Sequence, residues 1–304
     1  MQVSLARLPL CAAGLVVIAA AAIAGCSPGT SSSGASSGAG ASGSSSPAPA
    51  NALDAVKLAA KTSSSANSFT GTMDLQATVK PGADSSSTSA GAVSMTATFA
   101  EQLHPSPVAS VNIASLSSAG TSIPGGLAEI ATPSTLYLKW SYLTQMLHLS
   151  KPWLAIPLSS LSQSGGVNLS QILGQATGSG PLAQSQLLQG ATSVRQVGTG
   201  SVDGVPVTEY TGTLPLDKGI SYLSGAAKAQ LQQAMASAGF TEATFTVWVD
   251  GQHTVRKAVD TETGKDVTET ITTTITSINQ PVNIALPAAS QTSPLPGGDL
   301  SGLS

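Results

Sequence analysis

Charged and aromatic side chains are scarce in this 304-residue sequence, at 9% and 4% of the residues. So few charges exclude the highly charged composition of many disordered proteins. The formal net charge of −3 also gives no basic surface for nucleic acid, so we expect no nucleic-acid partner. The abundance of serine, threonine, alanine and glycine is typical of an exported, sheet-rich protein.

Cysteine is equally rare, with one residue at Cys11 and one at Cys26. Cys11 lies inside an apolar segment from Leu8 to Ala24, which follows the single positive side chain of Arg7. This layout is typical of a secretory signal peptide. If the leader is removed, Cys26 is the one remaining cysteine, so a disulfide within the mature chain is excluded.

The four residues that end the apolar segment are Ile23-Ala24-Gly25-Cys26, and they resemble the lipobox of bacterial lipoproteins. The resemblance implies that residues 1–25 are a lipoprotein signal peptide and that Cys26 carries the lipid. Acyl chains on Cys26 would hold the protein at the outer face of the cytoplasmic membrane. The alternative is an uncleaved anchor, but the 17 apolar residues are at the short limit for spanning a bilayer.

Residues 26–50 consist of Cys26 and a run, Ser27 to Ala50, that is almost entirely Ser, Gly, Ala and Pro. Such a composition cannot bury enough surface to offset the entropy of ordering. We predict a flexible, disordered tether that holds the following domain roughly 25–30 Å from the anchor.

Residues 51–288 show the patterns of a folded domain. Apolar and polar residues alternate from Phe69 to Lys80 and again in later segments, which predicts half-buried antiparallel strands. Asp203-Gly204 and Asp250-Gly251 each separate two such runs and predict hairpins whose two central residues have positive φ. Helices are predicted at five places: after Asn51, over Ser141–Leu149, Asn168–Gln175 and Pro181–Gln189, and over Ile220–Ser237.

This order of elements predicts an α+β fold with one curved antiparallel sheet and helices that cover its concave face. Residues 289–304 are predicted to be a disordered tail. The usable length of about 250 residues is enough for one substantial core.

Several short motifs follow one another in a recognisable order, and together they resemble the actinobacterial lipoproteins of the LppX and LprG type. That group shares the fold of the periplasmic lipoprotein carrier LolA. The resemblance covers roughly residues 51 to 287 and implies a half-barrel sheet closed by helices around an apolar cavity, which in relatives holds acyl chains. The motifs are Leu136-Tyr137-Leu138, Lys151-Pro152-Trp153, Gly166-Val167-Asn168-Leu169-Ser170, Val202-Asp203-Gly204-Val205, Tyr210-Thr211-Gly212, Val247-Trp248-Val249-Asp250 and Pro281-Val282.

Two functions compete. A carrier of a lipid or another acylated ligand needs a cavity on the apolar sheet face, whereas a module that contacts other envelope components needs only a packed core and a binding surface. We expect a monomer in either case. The six residues predicted to line the cavity are Met73, Leu75, Met95, Phe99, Val111 and Ile113.

Catalysis is not expected, because the sequence offers no set of nucleophile, base and orienting group, and no clustered metal ligands. His104, His148 and His253 are far apart and are expected at the surface. No cofactor or metal is expected. The acidic residues near the end of the domain lack the pattern of a calcium loop and are predicted on a solvent-facing hairpin; they are Asp260, Glu262, Asp266 and Glu269.

Overall fold

The structure is a computed structural model that describes residues 51–80, 91–122, 126–158, 181–223 and 225–295. Its strands are β1 (Ser68–Val79), β2 (Gly91–Gln102), β3 (Val108–Ser118), β4 (Thr121–Ser122), β5 (Leu127–Ala131), β6 (Thr135–Lys139), β7 (Trp153–Pro157), β8 (Ser193–Val202), β9 (Val205–Pro215), β10 (Glu242–Asp250), β11 (Val255–Thr263), β12 (Val267–Ile278) and β13 (Thr292–Pro294). They form one sheet in the order β13, β7, β6, β5, β3, β2, β1, β12, β11, β10, β9, β8, with β4 beside β3. Every pairing is antiparallel except that of β13 with β7.

The predicted α+β class, with a curved, open, antiparallel sheet and helices on its concave face, is confirmed. The alternation expected from Phe69 onward is present in β1, where Met73 and Leu75 are buried and Thr72 and Asp74 are exposed. We use the name concave face for the side of the sheet that carries Met73 and the residues in register with it.

The helices are α1 (Ala52–Ser64), α2 (Ser141–Met146), α3 (Pro181–Leu187), α4 (Leu216–Gly219) and α5 (Gly225–Ala238), with 3₁₀ turns at Leu188–Gly190, Ile220–Tyr222 and Ala289–Gln291. The side chain of Asn51 caps α1, because its oxygen accepts a hydrogen bond of 2.9 Å from the backbone N–H of Asp54. This confirms the helix start predicted at Asn51.

The single helix predicted over Ile220–Ser237 is wrong. The chain leaves the 3₁₀ turn at Leu223, whose backbone is extended with ψ of 156° and whose side chain is buried. Helix α5 then begins at Gly225. The extended residue brings an apolar side chain into the core, and this tertiary contact overrides the helical pattern of the sequence. The helix predicted over Asn168–Gln175 lies outside the described residues.

The beginning of the predicted disordered tail is ordered. Ala289–Gln291 forms a 3₁₀ turn, and β13 pairs in parallel with β7, with Thr292 opposite Trp153. Pairing with a strand almost 140 residues away in sequence explains why local composition did not reveal it. This strand extends the sheet by one member beyond β7.

The two Asp-Gly hairpins differ in their turns. Asp203 and Gly204 have φ of 49° and 79°, as the prediction requires. In the second hairpin the residue with positive φ is His253, so the predicted turn type is wrong there. Asp250 instead accepts hydrogen bonds from the backbone N–H groups of Gln252 and Thr254, the Thr254 hydroxyl and Arg256 Nε. Burial alone would raise the pKa of Asp250, but these four hydrogen bonds outweigh it and lower the pKa.

The core divides into three apolar clusters. The helix-side cluster joins α1, α3 and α4 to β9, β10 and β11, and it includes Val56, Leu188 and Phe245. The edge cluster lies on β5, β6 and β7 and consists of Ala131, Leu136, Leu154 and Ile156. The strand-side cluster lies on β1, β2, β3 and β12, and its buried members are Ala66, Phe69, Met73, Leu75, Met95, Ala97, Phe99, Val111, Ile113 and Ile275.

Two glycines on the concave face give a test of this packing. Gly71 lies opposite Phe99, and Gly212 lies opposite Phe245. A methyl group would meet the phenyl ring at 2.6 Å at Gly71 and at 2.7 Å at Gly212, and a backbone carbonyl oxygen at even shorter distance. We expect Gly71→Ala and Gly212→Ala each to lower the free energy of unfolding by roughly 1–3 kcal/mol in urea titrations.

The matched control is Gly200→Ala, because Gly200 is also in a strand but has open space where a methyl group would lie. Its expected change is within about 0.5 kcal/mol. Equal effects at all three glycines would contradict the packing described here.

Candidate functional site

The structure brings the six predicted cavity residues together in the strand-side cluster. The register explains this, since Met73 pairs with Ala97, which pairs with Ile113, and Phe99 pairs with Val111. All six side chains are buried on the concave face. The six residues therefore share one buried apolar face, and their role in lining a ligand cavity stays a prediction.

The described helices cover other parts of the concave face, and Leu143 of α2 and Leu147 at its end pack on the edge cluster. The apolar side chains of α1, α3 and α4 pack into the helix-side cluster. In contrast, the partly buried residues that pack on the strand-side cluster all come from strands or from loops beside them, within the described part of the chain. The strand-side cluster thus contains no apolar side chain from any described helix, although polar side chains of α1 and α3 reach its boundary at Phe69 and Ile275.

A small cavity lies at the boundary between the two clusters. Its volume is about 10 Å³, enough for one water molecule. It is lined by Phe69 and Ile275 of the strand-side cluster, by Leu188 and by polar groups that include Ser63 and Gln184. The space at this boundary is therefore much smaller than an acyl chain.

Two glutamates on the concave face were not found by the sequence reasoning. Glu101 lies at the end of β2 in phase with Phe99, and Glu129 lies in β5 directly opposite Val111. Each is only 3% exposed. Burial raises the pKa of Glu101 to about 7 and that of Glu129 to about 8. The period of two that located Phe99 also places Glu101 on the concave face, whereas Glu129 could be placed only from its pairing with Val111.

The acidic residues predicted on a solvent-facing hairpin are placed differently. Asp260 pairs with Phe245 and Ile271, and Glu262 pairs with Ala243 and Glu269, so three of the four carboxyl groups are on the concave face. The prediction is wrong for these three because β11 continues to Thr263 and β12 begins at Val267, so all three residues lie in paired strands and face the same side as Phe245 and Leu75. Asp266 lies in the turn between β11 and β12.

Desolvation is the main cause that raises the pKa of all three carboxyl groups. It raises the pKa of Asp260 and of Glu269 to about 7. The pKa of Glu262 rises to about 8, because the charges of Glu269 and Asp260 add to desolvation. Since Glu262 and Glu269 are direct cross-strand partners, two like charges face each other when both are ionised.

The three histidines do not form a site. His104 and His148 are exposed, and His253 is half-buried in the turn before β11. Among the described residues there is no group of three His, Cys, Asp or Glu side chains that could hold a metal ion.

Comparison with known proteins finds solved structures and one curated sequence that are similar to this chain. Among solved structures it is similar to lipoprotein LppX of Mycobacterium tuberculosis, with 18% identity, a TM-score of 0.43 and coverage of 77% of this chain and 97% of that chain. It is also similar to LprF of Mycobacterium bovis, with 12% identity, a TM-score of 0.43 and coverage of 78% and 97%.

A LolA superfamily protein of Nitrosomonas europaea is similar at 10% identity, with a TM-score of 0.28 and coverage of 80% of this chain and 98% of that chain. A curated relative, an uncharacterized 31.2 kDa protein of Streptomyces griseus, is 31% identical over 147 residues. The match spans about half the length of each, 47% of this chain and 48% of that protein. No protein-family model matches the sequence.

In the described ranges no helix is both long and apolar enough to cross a membrane.

Proposed function

We propose that this protein binds an acyl chain of a lipid, or of another acylated molecule, on the strand-side cluster of the concave face. The observation that carries the proposal is this cluster of ten buried apolar residues, to which no described helix contributes an apolar side chain. A binding function of this kind needs no reacting groups, so we also propose that the protein is not an enzyme.

The composition of the cluster suits a flexible apolar ligand. Met73 and Met95 lie near its centre, and methionine adapts its shape to irregular apolar partners. Each methylene group removed from water contributes about 0.8 kcal/mol, so an acyl chain of ordinary length gains enough to offset the loss of its own freedom. Because the described cavity holds only one water molecule, binding requires side chains of the cluster to separate.

We further propose that Cys26 carries the lipid that holds the protein at the outer face of the cytoplasmic membrane. The tether of residues 27–50 would then leave the domain free to move over the bilayer surface. In this arrangement the domain stays near membrane lipids, from which an acylated ligand would come.

The second candidate function is contact with another envelope component, and α2 favours it. Tyr142 and Met146 of this short helix are 52% and 44% exposed. Trp140, just before the helix, has its ring centroid 5.0 Å from that of Tyr142. Exposed apolar and aromatic groups next to one another are typical of protein contact sites.

The test is native mass spectrometry of the purified protein, alone and after incubation with envelope lipids. We expect an acylated molecule to remain bound. In the variant Ala97→Trp the added ring occupies the space above the cluster, so the bound mass is expected to disappear. The matched control is Thr98→Trp, because Thr98 is the next residue of β2 and faces the other side of the sheet.

Circular dichroism checks that both tryptophan variants fold. If repeated preparations show only the bare polypeptide mass, even after incubation with lipids, the acyl-binding proposal fails. A protein partner that co-purifies without any lipid would support the second candidate instead.

A further inference from the structure

Glu101 and Glu129 lie on either side of a small patch of the concave face, which is formed by Ala109 and Ala131. Glu101 pairs with Ala109, which pairs with Ala131, and Glu129 lies next to Ala131 along β5, two residues away on the same face. The two carboxyl groups therefore stand diagonally across β3, separated by alanines whose side chains fill little volume. The strand-side cluster begins beside them, at Phe99 and Val111.

Within the described part of the chain, one oxygen of each carboxyl group lacks the hydrogen-bond partner that a buried acid normally has. Glu101 Oε2 and Glu129 Oε1 are both buried, and no donor among the described residues reaches either atom. Their neighbours on the same face are apolar, namely Phe69, Ala109, Val111, Ala131, Leu136 and Leu138. On the described concave face of β1, β2, β3, β5, β6 and β7 there is no other titratable side chain.

A buried carboxyl group without a partner is costly, and for that reason each one in a native structure requires an explanation. A purely structural role does not explain them, because a leucine of similar size would avoid the cost. Two carboxyl groups on either side of Ala109 and Ala131 would instead suit a ligand that carries a positive charge. An ammonium ion offers three N–H donors, which would satisfy oxygens of both carboxylates.

We propose that Glu101 and Glu129 together bind the ammonium head of a cationic amphiphile whose acyl chain lies on the strand-side cluster. This inference rests on the proposed acyl-binding function and adds the chemistry of the ligand's head group. The head would lie above Ala109 and Ala131. Both alanines are buried, and Leu143 and Leu147 pack on the edge cluster that includes Ala131, so the head reaches them only when these side chains move apart. The chain would extend along Phe99 and Val111 toward Met73. The acids Asp260, Glu262 and Glu269 are in register with the far ends of β1 and β2 and are not part of this site.

The test compares three probes with the same twelve-carbon chain, dodecylammonium, dodecanol and dodecanoate, by calorimetric titration of the purified protein at pH 7. We expect dodecylammonium to bind about tenfold more tightly than dodecanol, and dodecanoate to bind most weakly. Glu101→Gln and Glu129→Gln should each remove most of the preference for dodecylammonium over dodecanol.

Proton release gives a second readout that a merely structural role would not move. With pKa values of about 7 and 8, both carboxyl groups are partly protonated at pH 7 in the empty protein. Because an ammonium group favours their ionised forms, dodecylammonium should release protons, measured as a heat that depends on the ionisation enthalpy of the buffer. Dodecanol should release none.

Two control variants separate this site from a general effect of negative charge. Glu262→Gln removes an acid of the same face at a distance, and Asp74→Asn removes an exposed acid of the opposite face. Both should keep the preference for the amine. If dodecanol binds as tightly as dodecylammonium, or if Glu262→Gln has the same effect as Glu129→Gln, the inference is overturned while acyl binding stands. If none of the three probes binds, the proposed function itself fails.

Discussion

Between pH 5 and pH 8 the protein is expected to become less stable, by several kcal/mol in the free energy of unfolding. The cause is the set of five acids on the concave face, whose pKa values burial raises to about 7 or 8. In the unfolded chain these groups ionise near pH 4 to 4.5. A raised pKa in the folded state means that the stabilising contribution is complete below the unfolded pKa and is lost as the pH rises through the folded pKa.

The two most buried acids, Glu101 and Glu129, give a specific prediction for the pH dependence of stability. At pH 8 we expect Glu101→Gln and Glu129→Gln each to increase the free energy of unfolding by roughly 2–4 kcal/mol, because glutamine does not ionise. At pH 5 both acids are protonated in the folded protein, so the same substitutions should change little. Thermal unfolding followed by circular dichroism would show this as a rise in Tm of roughly 5–15 °C at pH 8 alone.

Asp250 has the opposite effect on the pH dependence of the stability. Its pKa is lowered in the folded protein, so its contribution is present above its unfolded pKa and is lost as the pH falls. The stability curve should therefore have its maximum at mildly acidic pH. Asp74→Asn, at an exposed position, is the control and should not change the shape of the curve. A flat profile from pH 5 to 8, or equal effects of the glutamine variants at both pH values, would refute the prediction.

The strands and the apolar face could be predicted because both depend on a local pattern. Phe69 to Lys80 alternates without interruption, and alternation defines which side chains share a face even when the neighbouring strands are unknown. The turn at Asp203-Gly204 could be predicted for a similar reason, since its positive φ values depend on two adjacent residues.

The features that were missed depend on contacts between distant parts of the chain. The pairing of β13 with β7 and the extended backbone at Leu223 are set by tertiary packing. The acids were missed for a different reason. A carboxyl group in an alternating strand is normally assigned to the solvent face, so Glu129 and Asp260 could be placed only once the partners of β5 and β11 were known.

Substitution of Cys26 by serine is expected to release the protein from the membrane. A serine hydroxyl does not replace the thiol that receives the diacylglycerol group, so the variant would carry no acyl chains. One acyl chain gives only marginal membrane binding, whereas two or three give stable anchoring. We therefore expect the wild-type protein in the membrane fraction and Cys26→Ser outside it, as measured by immunoblotting of fractionated cells.

Cys11→Ser is the matched control, because Cys11 lies in the segment that cleavage would remove. It should leave both membrane retention and the mass of the mature protein unchanged. The intact mass of the wild-type protein should correspond to a chain that begins at Cys26 and carries acyl groups.

The same experiment distinguishes the lipid anchor from an uncleaved apolar segment. If Leu8 to Ala24 held the protein by spanning the bilayer, Cys26→Ser would be retained as well as the wild type. Because that segment has only 17 residues, it would have to thin the bilayer to span it, whereas acyl chains insert at any thickness. Equal retention of the two proteins, together with a wild-type mass that includes residues 1–25, would therefore reject lipidation at Cys26 and leave the acyl-binding proposal to be tested separately.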